Sequence, residues 1–300
     1  MRVDPTYVTS LVGALDQAQA NQQQLSAQIS SGVRVNSLSD DPIAAGQNVL
    51  LLNQIQQDDS FSQSANLVTG QLQVADSALG QVVAQLTQAI SLATSANNGT
   101  MNASDRQSIS NQISGIRAEV LTLANSSYQG QYIFAGGEGS GAPFTLDTST
   151  SPATVTYNGD SNVNYLETPN GQRIQLNVPG NQIFSGANRT NVFASLNNLV
   201  ADFATDGNPA QAISDTTALS DAMNFVSQQR VTIDNSISQI GSASNAVQNQ
   251  QMQLSASQTN LMQADVAQVA TQLSLSETQQ SALESIIAQL ASGSLFDKLH

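Results

Sequence analysis

Apolar side chains near the start of the chain recur at alternating spacings of three and four. This spacing places them on one stripe of an α-helix, in the heptad pattern of a coiled coil. The helix is expected to end near Gly32, because glycine readily adopts the left-handed conformation that closes a helix. The stripe consists of Val8, Leu11, Leu15, Ala18, Gln22, Leu25 and Ile29.

A second helix is predicted to begin at Pro42, after an extended connector over residues 33–39. The Asp41 carboxylate can accept hydrogen bonds from first-turn N–H groups, and Pro42 occupies a position where a missing N–H costs nothing. The helix is expected to end near Asn97. Its stripe has no polar member and consists of Phe61, Ala65, Val68, Leu72, Ala75, Leu79, Val82, Leu86, Ala89 and Ala93.

A third helix is predicted to start at a cap formed by Asn102 or Ser104 and to close at Gly130. Beyond it the pattern becomes β-like, with candidate strands at 154–157, 162–166 and 173–178 between turn sequences. These strands predict a small antiparallel meander. The third helix carries the stripe Ile109, Ile113, Ile116, Val120 and Leu123.

Helical periodicity returns at 191–204, and Asn208-Pro209 repeats the arrangement of Asp41-Pro42 before a long final arm. The phase of the apolar stripe slips by one after Leu261, so the terminal segment belongs to a different packing unit. The first stripe comprises Leu219, Met223, Val226, Arg230, Ile233, Ile237, Ile240, Ser244, Val247, Gln251, Leu254, Gln258 and Leu261. The second comprises Met262, Val266, Val269, Leu273, Ser276, Gln280, Leu283, Ile287 and Leu290.

The predicted fold is mainly α, a long antiparallel helical coiled-coil bundle formed by both chain ends, with a small inserted β-rich domain. Three domains are expected. Residues 1–39 with 262–300 form a terminal helical inner domain, 40–129 with 189–261 a helical bundle, and 130–188 the β-rich outer region.

The two terminal stripes can pack antiparallel in a register that brings their polar layers together. The pairs are Val8 with Leu290, Leu11 with Ile287, Leu15 with Leu283, Ala18 with Gln280, Gln22 with Ser276, Leu25 with Leu273, and Ile29 with Val269. Burial along this seam does not offset the entropy of ordering both segments. We therefore expect the termini to order on assembly against neighbouring copies; the alternative is that they fold back on the central bundle.

Composition excludes several function classes. Eight Lys plus Arg against 22 Asp plus Glu give a net charge of −14, which disfavours nucleic acid as a partner. The chain has no cysteine, its one histidine is His300 and its one lysine is Lys298. Asp40 and Asp41 are interpreted as a helix start, so the sequence predicts no enzyme, metal or cofactor. It also predicts no membrane contact, and no cleavable secretory signal opens the chain, so we expect that any export leaves it uncleaved.

Residues 24–48 carry a specific motif, QLSAQISSGVRVNSLSDDPIAAGQN. It resembles the N-terminal signature of bacterial flagellins and the flagellin-like junction proteins. The resemblance implies that both terminal helices lie in an inner tubular domain, with further helices around it and a variable β-rich region outside. It also implies that Arg34, Asn36, Asp40, Asp41 and Pro42 form the interdomain connector.

The QGQYIFAG sequence at 129–136, the opening Met1-Arg2-Val3, the ending at 294–297 and Pro42 are more similar to the junction proteins. Filament flagellins more often have Ala at the position of Pro42. The resemblance therefore implies a structural subunit that joins the flagellar hook to the filament through its terminal helices. The expected assembly residues are Val8, Leu11, Leu15, Leu25, Ile29, Val266, Val269, Leu273, Leu283, Ile287 and Leu290.

The same resemblance implies the partners and the location. The expected partners are copies of the chain in a ring, a second hook-associated protein, flagellin, and an export chaperone on the C-terminal helix. The chain would pass unfolded through the flagellar type III channel to the extracellular flagellum. Filament flagellin remains the first alternative, and a type III needle-tip or pore-forming protein is a remote one.

Overall fold

Long helices occupy both ends of the chain, and the short strands lie between them in sequence. A computed structural model describes residues 5–97, 101–137, 139, 141–150, 153–185, 191–204 and 208–296, with the side chains of 5–8, 209 and 290–296 outside the description. The helices are α1 (Pro5–Ser31), α2 (Pro42–Ala96), α3 (Ala103–Ala124), α4 (Gly180–Phe184), α5 (Val192–Asp202), α6 (Pro209–Met262) and α7 (Val266–Phe296). The strands are β1 (Ser127–Tyr128), β2 (Gln131–Tyr132), β3 (Phe144–Asp147), β4 (Thr154–Tyr157), β5 (Tyr165–Glu167) and β6 (Arg173–Gln175). The predicted mainly helical fold with a small β insertion is confirmed.

The helix ends follow the predicted capping chemistry. Gly32 has a φ of +69° directly after α1, and its N–H donates to the carbonyl of Gln28 at 2.8 Å. Oδ1 of Asp41 accepts a hydrogen bond from the N–H of Ala44 at 3.0 Å, at the start of α2. Asn102 caps α3 and Asn208 caps α6 in the same way.

Gly130 does not close α3, which ends six residues earlier than the sequence predicted. Gln129 and Gly130 both have positive φ, +52° and +81°, and form the two-residue turn between β1 and β2. Such turns suit the twist of a hairpin. The prediction failed because a glycine after a helical stripe serves equally well as a helix cap or as a hairpin turn.

In the described part of the β region the strands form three separate two-stranded antiparallel sheets, β1–β2, β3–β4 and β5–β6, so the predicted single meander is wrong. An aromatic cluster holds the region together instead. The Phe144 ring lies 5.0 to 5.3 Å from the rings of Tyr157, Phe184 and Phe193. Asn125 also accepts from the N–H of Phe144 and donates to its carbonyl, both at 2.9 Å. Side-chain packing thus replaces the missing strand pairing.

The chain divides into two compact units: Met1–Gln56 with Gln250–His300, and Gln57–Asn249. The continuous hydrophobic core belongs to the second unit and runs from Phe61 to Val247. Within that unit Arg230 binds Asp76 through its Nε at 2.8 Å, joining α6 to α2. The predicted stripes of α2, α3 and α6 supply most of this core. The three-domain division remains a prediction.

The last long helix is interrupted where the stripe changes phase. α6 ends at Met262, and α7 begins at Val266 after three residues without helical structure. Oδ1 of Asp265 accepts hydrogen bonds from the N–H groups of Ala267 and Gln268, each at 3.1 Å. Asp265 therefore caps α7, and Met262, the predicted first member of the new stripe, belongs to the preceding helix.

The connector and terminal hairpin as a candidate assembly site

The connector between α1 and α2 is bonded to the break between α6 and α7. Val33 forms an antiparallel β-bridge with Gln263. The N–H of Arg34 donates to the carbonyl of Met262 at 2.7 Å, and the N–H of Ala264 donates to the carbonyl of Gly32 at 3.0 Å. Two chain segments more than two hundred residues apart in sequence are therefore joined through their backbones.

The side chain of Arg34 adds two further contacts to this junction. Its Nη1 lies 3.1 Å from Oδ2 of Asp41, and its Nη2 donates to the carbonyl of Leu261 at 3.3 Å. The last carbonyls of a helix have no intrahelical partner, and a cation there also interacts favourably with the helix dipole. The arginine thus satisfies the end of α6 while it pairs with the cap of α2. These contacts lie within the first unit, so the interdomain role of Arg34 remains a prediction.

Asp40 and Asp41 are tied to backbone donors. Oδ2 of Asp40 accepts from the N–H groups of Ser37 and Asn36, at 2.8 and 2.9 Å. The Ser37 N–H lowers the pKa of Asp40, and the Ala44 N–H lowers the pKa of Asp41. A carboxyl with a lowered pKa stays ionised at neutral pH and is poorly suited to act as a general acid. The geometry supports the structural interpretation of this acidic pair.

Asn36 completes the turn of the connector. Its Nδ2 donates to the carbonyl of Val33, and its Oδ1 accepts from the hydroxyl of Ser31, both at 3.4 Å. Val35, next to it, is only 4% exposed. The connector is therefore a folded element with a buried residue of its own, rather than the extended segment that the sequence predicted.

The two terminal helices α1 and α7 pack against each other. Val269 is buried, and the other described members of the predicted assembly set on this seam are half-buried: Leu11, Leu15, Leu25, Ile29, Leu273, Leu283 and Ile287. Val266 is 49% exposed and lies off the seam. The side chains of Val8 and Leu290 lie outside the described residues.

At one layer the contact between these helices differs from the predicted pairing of Ser276 with Gln22. The hydroxyl of Ser276 donates to the carbonyl of Ala18 at 3.4 Å, and both residues are 8% exposed. Gln280, the predicted neighbour of Ala18, donates instead to Glu284 on its own helix at 2.9 Å. Two small side chains allow the helix backbones to approach closely at this layer, and the Gln280 amide is hydrogen-bonded within its own helix.

Sequence reasoning missed two parts of this site. Asp265 was not predicted as a cap, although an aspartate directly before an apolar helical stripe is a readable start signal. The amide of Gln258 donates to Oδ1 of Asn48 at 2.9 Å and joins α6 to α2 within the first unit. No local pattern could have revealed this bond, because its two residues are distant in sequence.

Exposed apolar side chains are concentrated in the first unit. Among the residues that the structure describes in this unit, the buried apolar ones are Ala18, Val35, Ala44, Ala264 and Val269. Its exposed large apolar residues include Val12, Leu38, Ile43, Val49, Leu50, Leu52, Met252, Val266, Leu275 and Ile286. The first unit therefore exposes more large apolar side chains than the second.

A titratable pair lies in the second unit. Asp202, at the end of α5, and Asp215, in α6, are each 9% exposed. Burial, followed by the neighbouring Asp215 carboxyl, raises the pKa of Asp202 to about 6. Across the described ranges, no group of three or more His, Cys, Asp or Glu residues could hold a metal ion. None of the described helices is long and apolar enough to cross a membrane.

Comparison with known proteins shows which proteins this chain resembles. Residues 9–138 match the family described as the bacterial flagellin N-terminal helical region. The chain is 28% identical to flagellar hook-associated protein 3 of Escherichia coli K12 over 75% of this chain and 76% of that protein. It is also 28% identical to the Salmonella typhimurium LT2 protein of the same name, over 77% and 78%.

The fold has a counterpart among solved structures. A flagellar hook-associated protein from Vibrio parahaemolyticus superposes with a TM-score of 0.67 at 18% identity, covering 75% of this chain and all of that one. At this identity the likeness concerns the fold alone. The chain is therefore similar in sequence to flagellar hook-associated protein 3, and its residues 9–138 match the bacterial flagellin N-terminal helical region.

Proposed function

We propose that this chain is a structural subunit of the bacterial flagellum that joins the hook to the filament, assembling through its terminal helices. The observation that carries the proposal is the contrast between the two units. The second unit has a continuous apolar core. In the first unit, Ile43, Leu50 and Leu275 each have at least 59% of their surface exposed to solvent. The curated relatives named hook-associated protein 3 support the place of this subunit in the flagellum.

Copies of the chain form a ring between hook and filament, and its other neighbours are a second hook-associated protein and flagellin. Contacts between copies must tolerate a net charge of −14 on each. The terminal unit suits this requirement, because long helices with neutral polar and apolar faces can repeat closely. The residues proposed to carry the assembly are those of the α1–α7 seam. The connector residues from Arg34 to Pro42 hold the turn between α1 and α2 next to this seam.

An export chaperone covers α7 before assembly. The support is the exposure of Leu275 and Ile286 on this helix, by 59% and 40%. A helix with such surface requires a partner during transport to avoid aggregation. Once assembled, the same surface contacts neighbouring subunits.

Deletion of the gene tests the proposal. The expected result is a cell with hooks, no filaments and unpolymerised flagellin in the medium, restored to filament growth by this chain. Hooks that carry normal filaments in the deletion strain would remove the junction role. Absent filaments without secreted flagellin would favour the filament subunit, which the matching flagellin region also supports.

A further inference from the structure

A groove of about 580 Å³ runs along one face of the α1–α7 hairpin. Its apolar lining comes from Leu25, Val269 and Leu275, and Arg34 and Asp265 also line it. Leu275 is 59% exposed, so the groove opens to solvent. The rest of the lining is mainly neutral amide side chains, including Asn21, Gln24, Gln28, Gln268, Gln272 and Gln279.

A ridge with matching properties lies at the start of α2. Ile43, Gly46 and Leu50 are spaced by three and four, so they share one side of the helix. Ile43 is 76% and Leu50 69% exposed, while Ala44 on the other side is 3% exposed. A side chain added at Gly46 would meet nothing within 4 Å, which lets a second helix approach the backbone there.

Charge argues for a second copy as the occupant of the groove. Each chain carries −14, so two copies can meet closely only where carboxylates are sparse. The segment 42–56 contains no Asp, Glu, Lys or Arg, and the groove has one carboxylate, Asp265, and one cation, Arg34. The high exposure of Ile43 and Leu50 shows that a chain does not cover its own ridge.

We propose that the ridge of one copy, Ile43, Gly46 and Leu50, lies in the α1–α7 groove of the next copy. The contact is a helix in a groove, anchored by side chains at positions i and i+7. Its two surfaces are different, so the contact propagates from copy to copy rather than closing a two-fold dimer. This inference rests on the proposed function and names the partner of the terminal unit.

The size of the contact explains why it needs the assembled structure. The helical segment 42–56, which carries the ridge, spans roughly 22 Å. It covers less surface than the roughly 800 Å² that each partner buries in a stable pairwise interface. One ridge in one groove is therefore weak by itself. Several such contacts around a closed ring add up, since each new copy meets an array that is already held in place.

Disulfide cross-linking tests the contact, because the chain has no cysteine of its own. A deletion strain would produce two differently tagged copies, one with Leu50→Cys and one with Leu275→Cys, and its isolated flagella would be oxidised. The expected product is a linked dimer that carries both tags. A copy with both substitutions should give a ladder beyond dimers. Met252→Cys paired with Leu275→Cys is the control, and should give no link.

Aspartate substitutions give an independent measurement. Leu50→Asp and Leu275→Asp should each lower the number of copies retained per hook about tenfold, while Met252→Asp, also at an exposed apolar position of the first unit, should not. Circular dichroism checks that each variant is folded. Unchanged retention of both variants would overturn the contact even if a cysteine variant were defective.

Two further outcomes would overturn the inference alone. One is restored filaments without any dimer that carries both tags; the other is dimers of Leu50→Cys with itself, which indicate a symmetric ridge-to-ridge contact. Failure of the unmodified chain to restore filaments is a different result. It refutes the junction role, and the inference falls with it.

Discussion

Single residues decide how the connector holds the start of α2. Replacing Asp41 with Ala removes the acceptor for the Ala44 N–H and the partner of Arg34. Loss of a helix cap weakens the first turn, so first-turn amides of α2 should exchange hydrogen about fivefold faster. Asp41→Asn is the matched variant, since it keeps an acceptor oxygen and loses the charge. It should show a smaller change, because exposed ion pairs contribute little; equal acceleration in both variants would contradict the capping role.

Asp202 gives the second unit a pH dependence of definite sign. Its raised pKa, about 6, means that the folded state favours the protonated carboxyl. The contribution to stability is complete below the unfolded pKa near 4 and is lost as pH rises through about 6. Asp202→Asn should therefore raise the free energy of unfolding at pH 7 by about 1 to 2 kcal/mol and leave it nearly unchanged at pH 4.

Urea unfolding at the two pH values measures this effect. Asp221, exposed on α6, provides the control substitution Asp221→Asn, for which no such difference is expected. An Asp202 variant that loses stability at pH 7 would show that the native carboxyl is ionised and stabilising, contrary to the effect of burial beside Asp215.

At the scale of elements, the α1–α7 pair depends on a narrow seam. Leu273 is half-buried there, and Leu273→Asp would place a carboxylate against apolar neighbours, which costs several kcal/mol if it stays ionised. We expect loss of filament growth and motility while near-ultraviolet circular dichroism of the second unit is retained. Leu283→Asp should act in the same way.

Ser274→Asp is the control, because it adds the same charge at an exposed neighbouring position. Cells with this variant should remain motile. Normal filaments on the Leu273→Asp variant would exclude α7 from assembly.

Elements also differ in how far local sequence reveals them. The starts of α2, α3 and α6 were predicted because a side-chain acceptor and a first-turn N–H lie within a few residues of each other. The three sheets of the β insertion were not, because strand pairing there is set by the packing of Phe144 among residues from β4, α4 and α5. The short helix α4 was missed for the same reason.

For the whole molecule, the distribution of core residues predicts unequal stability. Leu79, Leu86 and Ile113 are fully buried in the second unit, whereas the seam of the first unit is mostly half-buried. Hydrogen exchange of the isolated chain should therefore be faster in α1 and α7 than in α3 and the 72–93 segment of α2, by at least about tenfold. Assembly should slow exchange in the terminal helices selectively. Equal protection in the isolated chain would show that the termini are stable without partners.

The sequence by itself determined the helical class, the position of the β insertion, the capped starts of α2, α3 and α6 and the change of phase near Leu261. Each of these features depends on residues close together along the chain. The tertiary structure decided the Ser276–Ala18 register, the bridge from Val33 to Gln263 and the exposure of Ile43 and Leu50. These three features depend on which segments, distant in sequence, pack against each other. A heptad stripe allows several registers that bury similar amounts of apolar surface. Small side chains and backbone hydrogen bonds, rather than the stripe, select among them.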